Sequence, residues 1–208
     1  FQGFEEMIPG TGFPPPGWSE VIYSGTGTWT AETGPNPPPP PTYDGFFACA
    51  DDDGAGSAVI MVTGLFTPSL DVSGIGAQQV NVAFSSWYNN IGSDYAAVRT
   101  YSNAALEATV VTYTLDHSME ESLWFDPSGY VDPSDVQVEF YYNDGGVWAW
   151  EWSIDNVVVS VGVPPPGGLD EVSGDDENSP GLQQTNPGFG GGNQGSLQNQ
   201  LGFAKQKY

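Results

Sequence analysis

Val136-Gln-Val-Glu-Phe-Tyr-Tyr142, followed at once by Asn143-Asp-Gly-Gly146, decides the fold class of this chain. Val136, Val138 and Phe140 fall on one face of an extended segment, and Gln137 and Glu139 fall on the other. That two-residue period is the mark of a strand with one face toward a core and one toward solvent. The Asn-Asp-Gly-Gly run predicts a hairpin turn leading into a second strand. Val80-Asn-Val-Ala-Phe-Ser-Ser-Trp87 repeats the pattern, with Val80, Val82 and Phe84 on one side.

Working outward, short runs of Val, Tyr, Phe, Trp and Thr recur between clusters of Gly, Pro, Asn and Asp. This is the punctuation of an all-β sandwich or barrel. The predicted strands are Phe1–Glu6, Trp18–Ser24, Gly27–Glu32, Phe46–Ala50, Ala58–Thr63, Gln79–Trp87, Tyr95–Tyr101, Ala108–Thr114, Val136–Tyr142, Val147–Trp152 and Ile154–Val161. Phe13-Pro-Pro-Pro-Gly17 and Pro35-Asn-Pro-Pro-Pro-Pro-Pro41 read as surface connections, because proline has no donor for a central ladder. Val163-Pro-Pro-Pro-Gly167 closes the body, which predicts a sandwich over 1–162 and an extension over 163–208.

Charge excludes several classes of partner. The chain has 208 residues and 26 acids against three basic residues, Arg99, Lys205 and Lys207, for a net charge of −23. Nucleic acid binding needs Lys and Arg against phosphates, and anionic membranes need the same. No apolar run approaches the roughly 18 residues that span a bilayer. Cys49 is a lone cysteine within the apolar run Phe46–Ala50 and reads as a small buried hydrophobe. The chain begins at Phe1, without methionine, which leads to the expectation of an exported protein whose signal has been removed.

Catalysis finds little support. His117 is the only histidine, within Asp116-His-Ser-Met-Glu120, and no nucleophile-elbow pattern accompanies it. It reads as a loop residue. Glu120 and Glu121 are adjacent, and adjacent side chains on an extended strand point to opposite faces; a solvated acidic loop is the reading. Calcium is the expected ligand of so acidic a chain, since it takes six to eight oxygens from carboxylates and carbonyls. Asp51-Asp52-Asp53-Gly54 is a candidate loop, with Asp51 and Asp53 as ligands or as turn aspartates accepting backbone bonds. Trp148, Trp150 and Trp152 alternate along one predicted strand and so share a face, either as core or as a sugar-stacking platform.

The extension is too poor in apolar residues to bury a core of its own. Its last segment nevertheless alternates: Leu197, Leu201 and Phe203 share a face with Lys205 and Lys207. Such a strand predicts addition to an open sheet edge, with the backbone ladder supplying what three side chains cannot. The glycine-rich span from Gly188 to Gly195 is long enough to reach the same molecule's edge or a neighbour's.

Phe4-Glu-Glu with Ile8-Pro and Gly17-Trp18, Ala48-Cys-Ala-Asp-Asp-Asp-Gly-Ala-Gly-Ser-Ala58, Leu65-Phe-Thr-Pro-Ser-Leu-Asp-Val-Ser-Gly74, Asp94-Tyr-Ala-Ala-Val98 and Trp148-Ala-Trp-Glu-Trp-Ser-Ile-Asp-Asn-Val-Val158 occur in a telling order. In that order the chain resembles the choice-of-anchor J domains, relatives of the cleaved adhesin domain, over about Phe1 to Val163. The resemblance implies an exported jelly-roll sandwich borne on a surface or secreted protein. It also implies a structural calcium where the glutamate of an early Phe-Glu meets the aspartate of a late Asp-Asn; here these are Glu5 and Asp155. Two functions remain open at this point. One is a non-catalytic subunit of an extracellular filament, joined head to tail by strand 197–208 to another copy of itself. The other is a monomeric adhesin or carbohydrate-binding module for glycans or a cell surface, with the extension as a linker.

Overall fold

The computed structural model describes residues 13–33 and 45–165. Among these residues ten strands form two antiparallel five-stranded sheets of a jelly-roll sandwich. One sheet runs β1 (Ser19–Gly25), β4 (Met61–Phe66), β9 (Val136–Asn143), β6 (Tyr95–Ser102), β7 (Ala105–Tyr113). The other runs β2 (Trp29–Glu32), β3 (Phe47–Asp51), β10 (Glu151–Gly162), β5 (Gln79–Tyr88), β8 (His117–Phe125). A single helical turn, α1 (Asp52–Ala55), follows β3. The chain divides into two units, Phe1–Asp170 and Glu171–Tyr208. The second lies outside the described residues, as do Glu5 and the predicted strands Phe1–Glu6 and 197–208.

The alternation of β9 builds the core: Val136, Val138, Phe140 and Tyr142 are fully buried between the sheets. Phe140 meets Phe84 of β5 edge to face at 5.1 Å and Trp152 of β10 at 5.9 Å. Trp152 in turn packs on Trp29 at 5.6 Å and donates from Nε1 to Ser86 Oγ at 3.1 Å. A buried indole needs such a partner. Cys49 is buried in the same sheet, as its apolar run predicts.

The structure departs from the sequence reading in four places. The 143–146 turn joins no hairpin. β9 pairs with β4 and β6, and the chain crosses to the other sheet to form β10. The crossing is fixed by Asp144, whose carboxylate accepts from Met61 N at 2.7 Å and Gly146 N at 2.8 Å.

Val147–Trp150 is not strand either. Asp52 donates its N–H to Trp150 O at 3.0 Å and accepts from Ala149 N at 2.7 Å. A loop carboxylate and amide have taken the groups that a neighbouring strand would need. Residues 117–125, read as a loop, form the edge strand β8. It pairs with β5 throughout, with Glu120 on Ser85 Oγ at 3.0 Å.

Finally, Glu139, assigned to a solvent face, is fully buried. The polar side of β9 is not a wet surface, and this places the candidate site.

Candidate functional site

On the outward face of the first sheet, antiparallel register brings Arg99 of β6 opposite Glu139 of β9, and Ala97 opposite Tyr141. Residues two apart on a strand share a face, so Tyr95, Arg99 and Tyr101 stand beside Glu139 and Tyr141. Tyr23 comes from β1, at a register shift between Ile22 and Ser24. A bulge of this kind re-aims one side chain. Here it sends the Tyr23 hydroxyl to Glu139 Oε1 at 2.6 Å.

The cluster is tightly keyed. The Arg99 guanidinium lies 3.5 Å over the Tyr141 ring, with Nη1 3.7 Å from Glu139 Oε2. Tyr141 has Tyr23 at 5.6 Å on one side and Tyr95 at 5.7 Å on the other. Phe66 meets Tyr101 edge-on at 5.2 Å. Room for Glu139 exists because its neighbour on β4 is Gly64: a Cβ there would fall 2.0 Å from Glu139 Oε1.

Burial raises the Glu139 carboxyl above its ordinary range, against the lowering pull of the Tyr23 and Tyr101 hydroxyls and of Arg99. Burial raises the Tyr23 and Tyr101 hydroxyls as well, so both stay protonated as donors. Tyr23 keeps 46% of its surface open, and Tyr95, Tyr101 and Arg99 are half-buried, whereas Tyr141 and Glu139 are buried. The result is a face of aromatic rings rimmed with hydroxyls, set on an ion pair whose carboxylate is buried. It offers apolar ring area together with directional donors and acceptors.

None of these residues was singled out as a site in the sequence. The signal was present: Arg99 is the sole cation outside the last four residues. A lone cation in so acidic a chain needs a designated partner, and the odd positions 95, 99 and 101 place it on a tyrosine face.

The predicted site residues lie elsewhere. Asp155 is fully buried on β10, one residue past the point where β3 stops pairing. Asn156 beside it adopts φ 53° at a register shift. Glu5, its expected partner at a calcium, lies outside the described residues. Asp51 caps α1, accepting from Gly54 N at 2.6 Å, while Asp53 is exposed. Among the described residues no group of three or more His, Cys, Asp or Glu side chains could hold a metal ion.

The tryptophans do not share a face. Trp152 is core, while Trp148 and Trp150 are 56% and 41% exposed on the loop that Asp52 holds. His117 begins β8 and pairs with Glu121, which also accepts from Tyr113 Oη at 2.9 Å.

A second acidic group carries a pH dependence. Burial beside Asp51 pushes the Glu151 carboxyl from 4.5 up to about 8, and burial pushes Asp52 from 3.8 up to about 6. Between about pH 4.5 and 8 the native state therefore keeps a proton on Glu151 that the unfolded chain has released. Its contribution is complete below 4.5 and is lost as pH rises through 8. Glu151→Gln keeps the neutral form at every pH. In urea titrations it is expected to match the wild type near pH 4 and to exceed it at pH 8.5 by on the order of 2 kcal/mol, after discounting for solvent.

The sequence matches no protein-family model and no curated protein. Solved structures do show likeness. The K1 cleaved adhesin domain of Lys-gingipain from Porphyromonas gingivalis W83 is 11% identical over 73% of this chain and 94% of that one, with a TM-score of 0.50. Its K3 cleaved adhesin domain is 13% identical over 70% and 93%, at 0.47. A cyclase from Fischerella sp. TAU, in complex with 4-(1H-indol-3-yl)butan-2-one, is 15% identical over 78% and 95%, at 0.49. The first likeness shows a shared fold.

Proposed function

We propose that the protein is an extracellular, non-catalytic, adhesin-like module of the choice-of-anchor J type that binds a neutral glycan across the outer face of the first sheet. The observation that carries this is the tyrosine face itself: Tyr23, Tyr95, Tyr101 and Tyr141 converge around one ion pair. Rings supply apolar area for a sugar's C–H face, and phenol hydroxyls supply hydrogen bonds at low conformational cost. The net charge of −23 disfavours an acidic polysaccharide. Calcium at Asp155 and Glu5, with Asp51 and Asp53 as a second acidic loop, belongs to the same proposal as a structural ion.

Titrating the full chain against neutral oligosaccharides and against uronic-acid oligosaccharides tests it. Tyr95→Ala and Tyr23→Ala are expected to weaken binding of a neutral glycan at least ten-fold while leaving the unfolding transition cooperative. Binding that survives both substitutions unchanged would remove the tyrosine face as the site.

A second reading, a head-to-tail filament of copies joined by strand 197–208 with Leu197, Leu201, Phe203, Lys205 and Lys207 as the inserting residues, is favoured by a separate observation. The sandwich ends in open strand edges that carry no partner among the described residues. Head-to-tail contacts do not close on themselves, which makes filaments the outcome. The two readings are compatible, since one uses a sheet face and the other a sheet edge.

A further inference from the structure

Among the described residues the two five-stranded sheets have four edge strands, β1, β7, β2 and β8, and three of them are guarded. β2 has only four residues. β8 carries His117, Glu120 and Glu121. β7 is interrupted by two register shifts and carries Glu107, which accepts from Val131 N at 2.9 Å. Short length, charge and bulges are the devices that blunt an edge against further pairing.

β1 has one such device, the register shift between Ile22 and Ser24, and otherwise little of this. It runs seven residues, Ser-Glu-Val-Ile-Tyr-Ser-Gly, with no lysine and no proline. Its one charge, Glu20, is drawn inward, accepting from Trp29 N at 2.7 Å and Thr63 Oγ1 at 2.8 Å. Val21, Ile22 and Tyr23 are 40%, 47% and 46% exposed. Three consecutive exposed apolar residues on an edge whose one charge is engaged elsewhere are a template for another strand.

We propose that β1 is the acceptor for the C-terminal segment Leu197–Lys207 of a second copy of this chain, laid alongside it as a sixth strand. This rests on the filament reading. The donor segment alternates Leu197, Leu201 and Phe203 on one face, which matches an edge offering Val21 and Tyr23 on one side and Ile22 on the other. The 43 residues that follow Pro165 end in Lys205 and Lys207, two of the three cations of a chain with 26 acids. A terminus of that sign is drawn to an acidic body, because the five acids from Asp170 to Glu177 are a small share of the 26 in the chain.

Cys49 is buried, so engineered cysteines report alone. Full-length chains with Leu201→Cys are mixed with chains bearing Val21→Cys, Ile22→Cys or Ser24→Cys, using oxidised glutathione as the oxidant. Met119→Cys, equally exposed on β8, is the control. Mixed disulfide dimers at one or two β1 positions, at least ten-fold above Met119→Cys, are expected. A matching loss of assembly is expected in Ile22→Lys, with near-UV circular dichroism verifying its fold.

Equal cross-linking at Met119, or none at β1 while deletion of 197–208 still abolishes assembly, overturns β1 as acceptor and leaves tail-driven assembly standing. Full-length protein that stays monomeric at every concentration overturns the filament reading and the acceptor with it.

Discussion

Arg99→Met is expected to destabilise the protein by about 3 kcal/mol and to raise the Glu139 carboxyl further. Removing Arg99 leaves the buried Glu139 carboxylate without its cation. Glu139 has no exposed surface, and Arg99 is the only cation near it among the described residues. The sign with pH follows from the direction of its shift: Glu139 is already raised by burial, and Arg99 is one of the groups that lower it. Without the guanidinium the native state binds its proton more tightly, so the variant's deficit shrinks as pH falls and grows as pH rises.

The double variant Arg99→Met with Glu139→Gln should recover most of the loss, because a neutral amide can keep the Tyr23 and Tyr101 bonds without a buried charge. Urea unfolding of the three variants at pH 5 and pH 8 checks both claims. A deficit of the same size at both pH values would show that Arg99 acts through packing on Tyr141 and not through Glu139. Glycan binding gives a second readout: Arg99→Met should weaken it by disordering Tyr141, even where the fold is retained.

Trp152→Ala has the largest expected effect on stability, about 3–5 kcal/mol, since it empties the centre of the sandwich. Its ring touches Trp29, Tyr113 and Phe140, and its loss also strips Ser86 of an indole donor. Trp148→Ala, four residues earlier, is expected to stay within about 0.5 kcal/mol of wild type, as exposed positions generally do. Thermal unfolding of the pair measures the division. If both variants lost comparable stability, the loop held by Asp52 would be part of the core and not a surface element.

That contrast shows what kind of information each level holds. Period-two alternation in Val80–Phe84 and Val136–Phe140 was enough to give the strands, their buried faces and the all-β class, because burial of one face is written residue by residue. The resemblance of ordered motifs extended this to a jelly roll. The same rule misled at Val147–Trp150, where alternation is present but backbone groups are taken by Asp52, far away in the chain. Alternation states which side chains would share a face if a strand formed. It says nothing about whether another strand is there to pair with it.

β8 was hidden for the converse reason. As an edge strand with an open face, His117–Phe125 has little need of apolar residues, so it looked like a polar loop.

The candidate face belongs wholly to the second kind of information. Tyr23, Gly64, Tyr95, Arg99, Glu139 and Tyr141 come from four strands, and only the order β1, β4, β9, β6 sets them side by side. The sequence by itself determined the strands, the acidic character and the single body cation, all properties of local pattern or plain composition. The tertiary structure alone decided that Glu139 is buried, that Gly64 makes its space, and that the cation rests on a tyrosine ring. Cross-strand neighbours are fixed by sheet order and register, and those are outcomes of the whole fold.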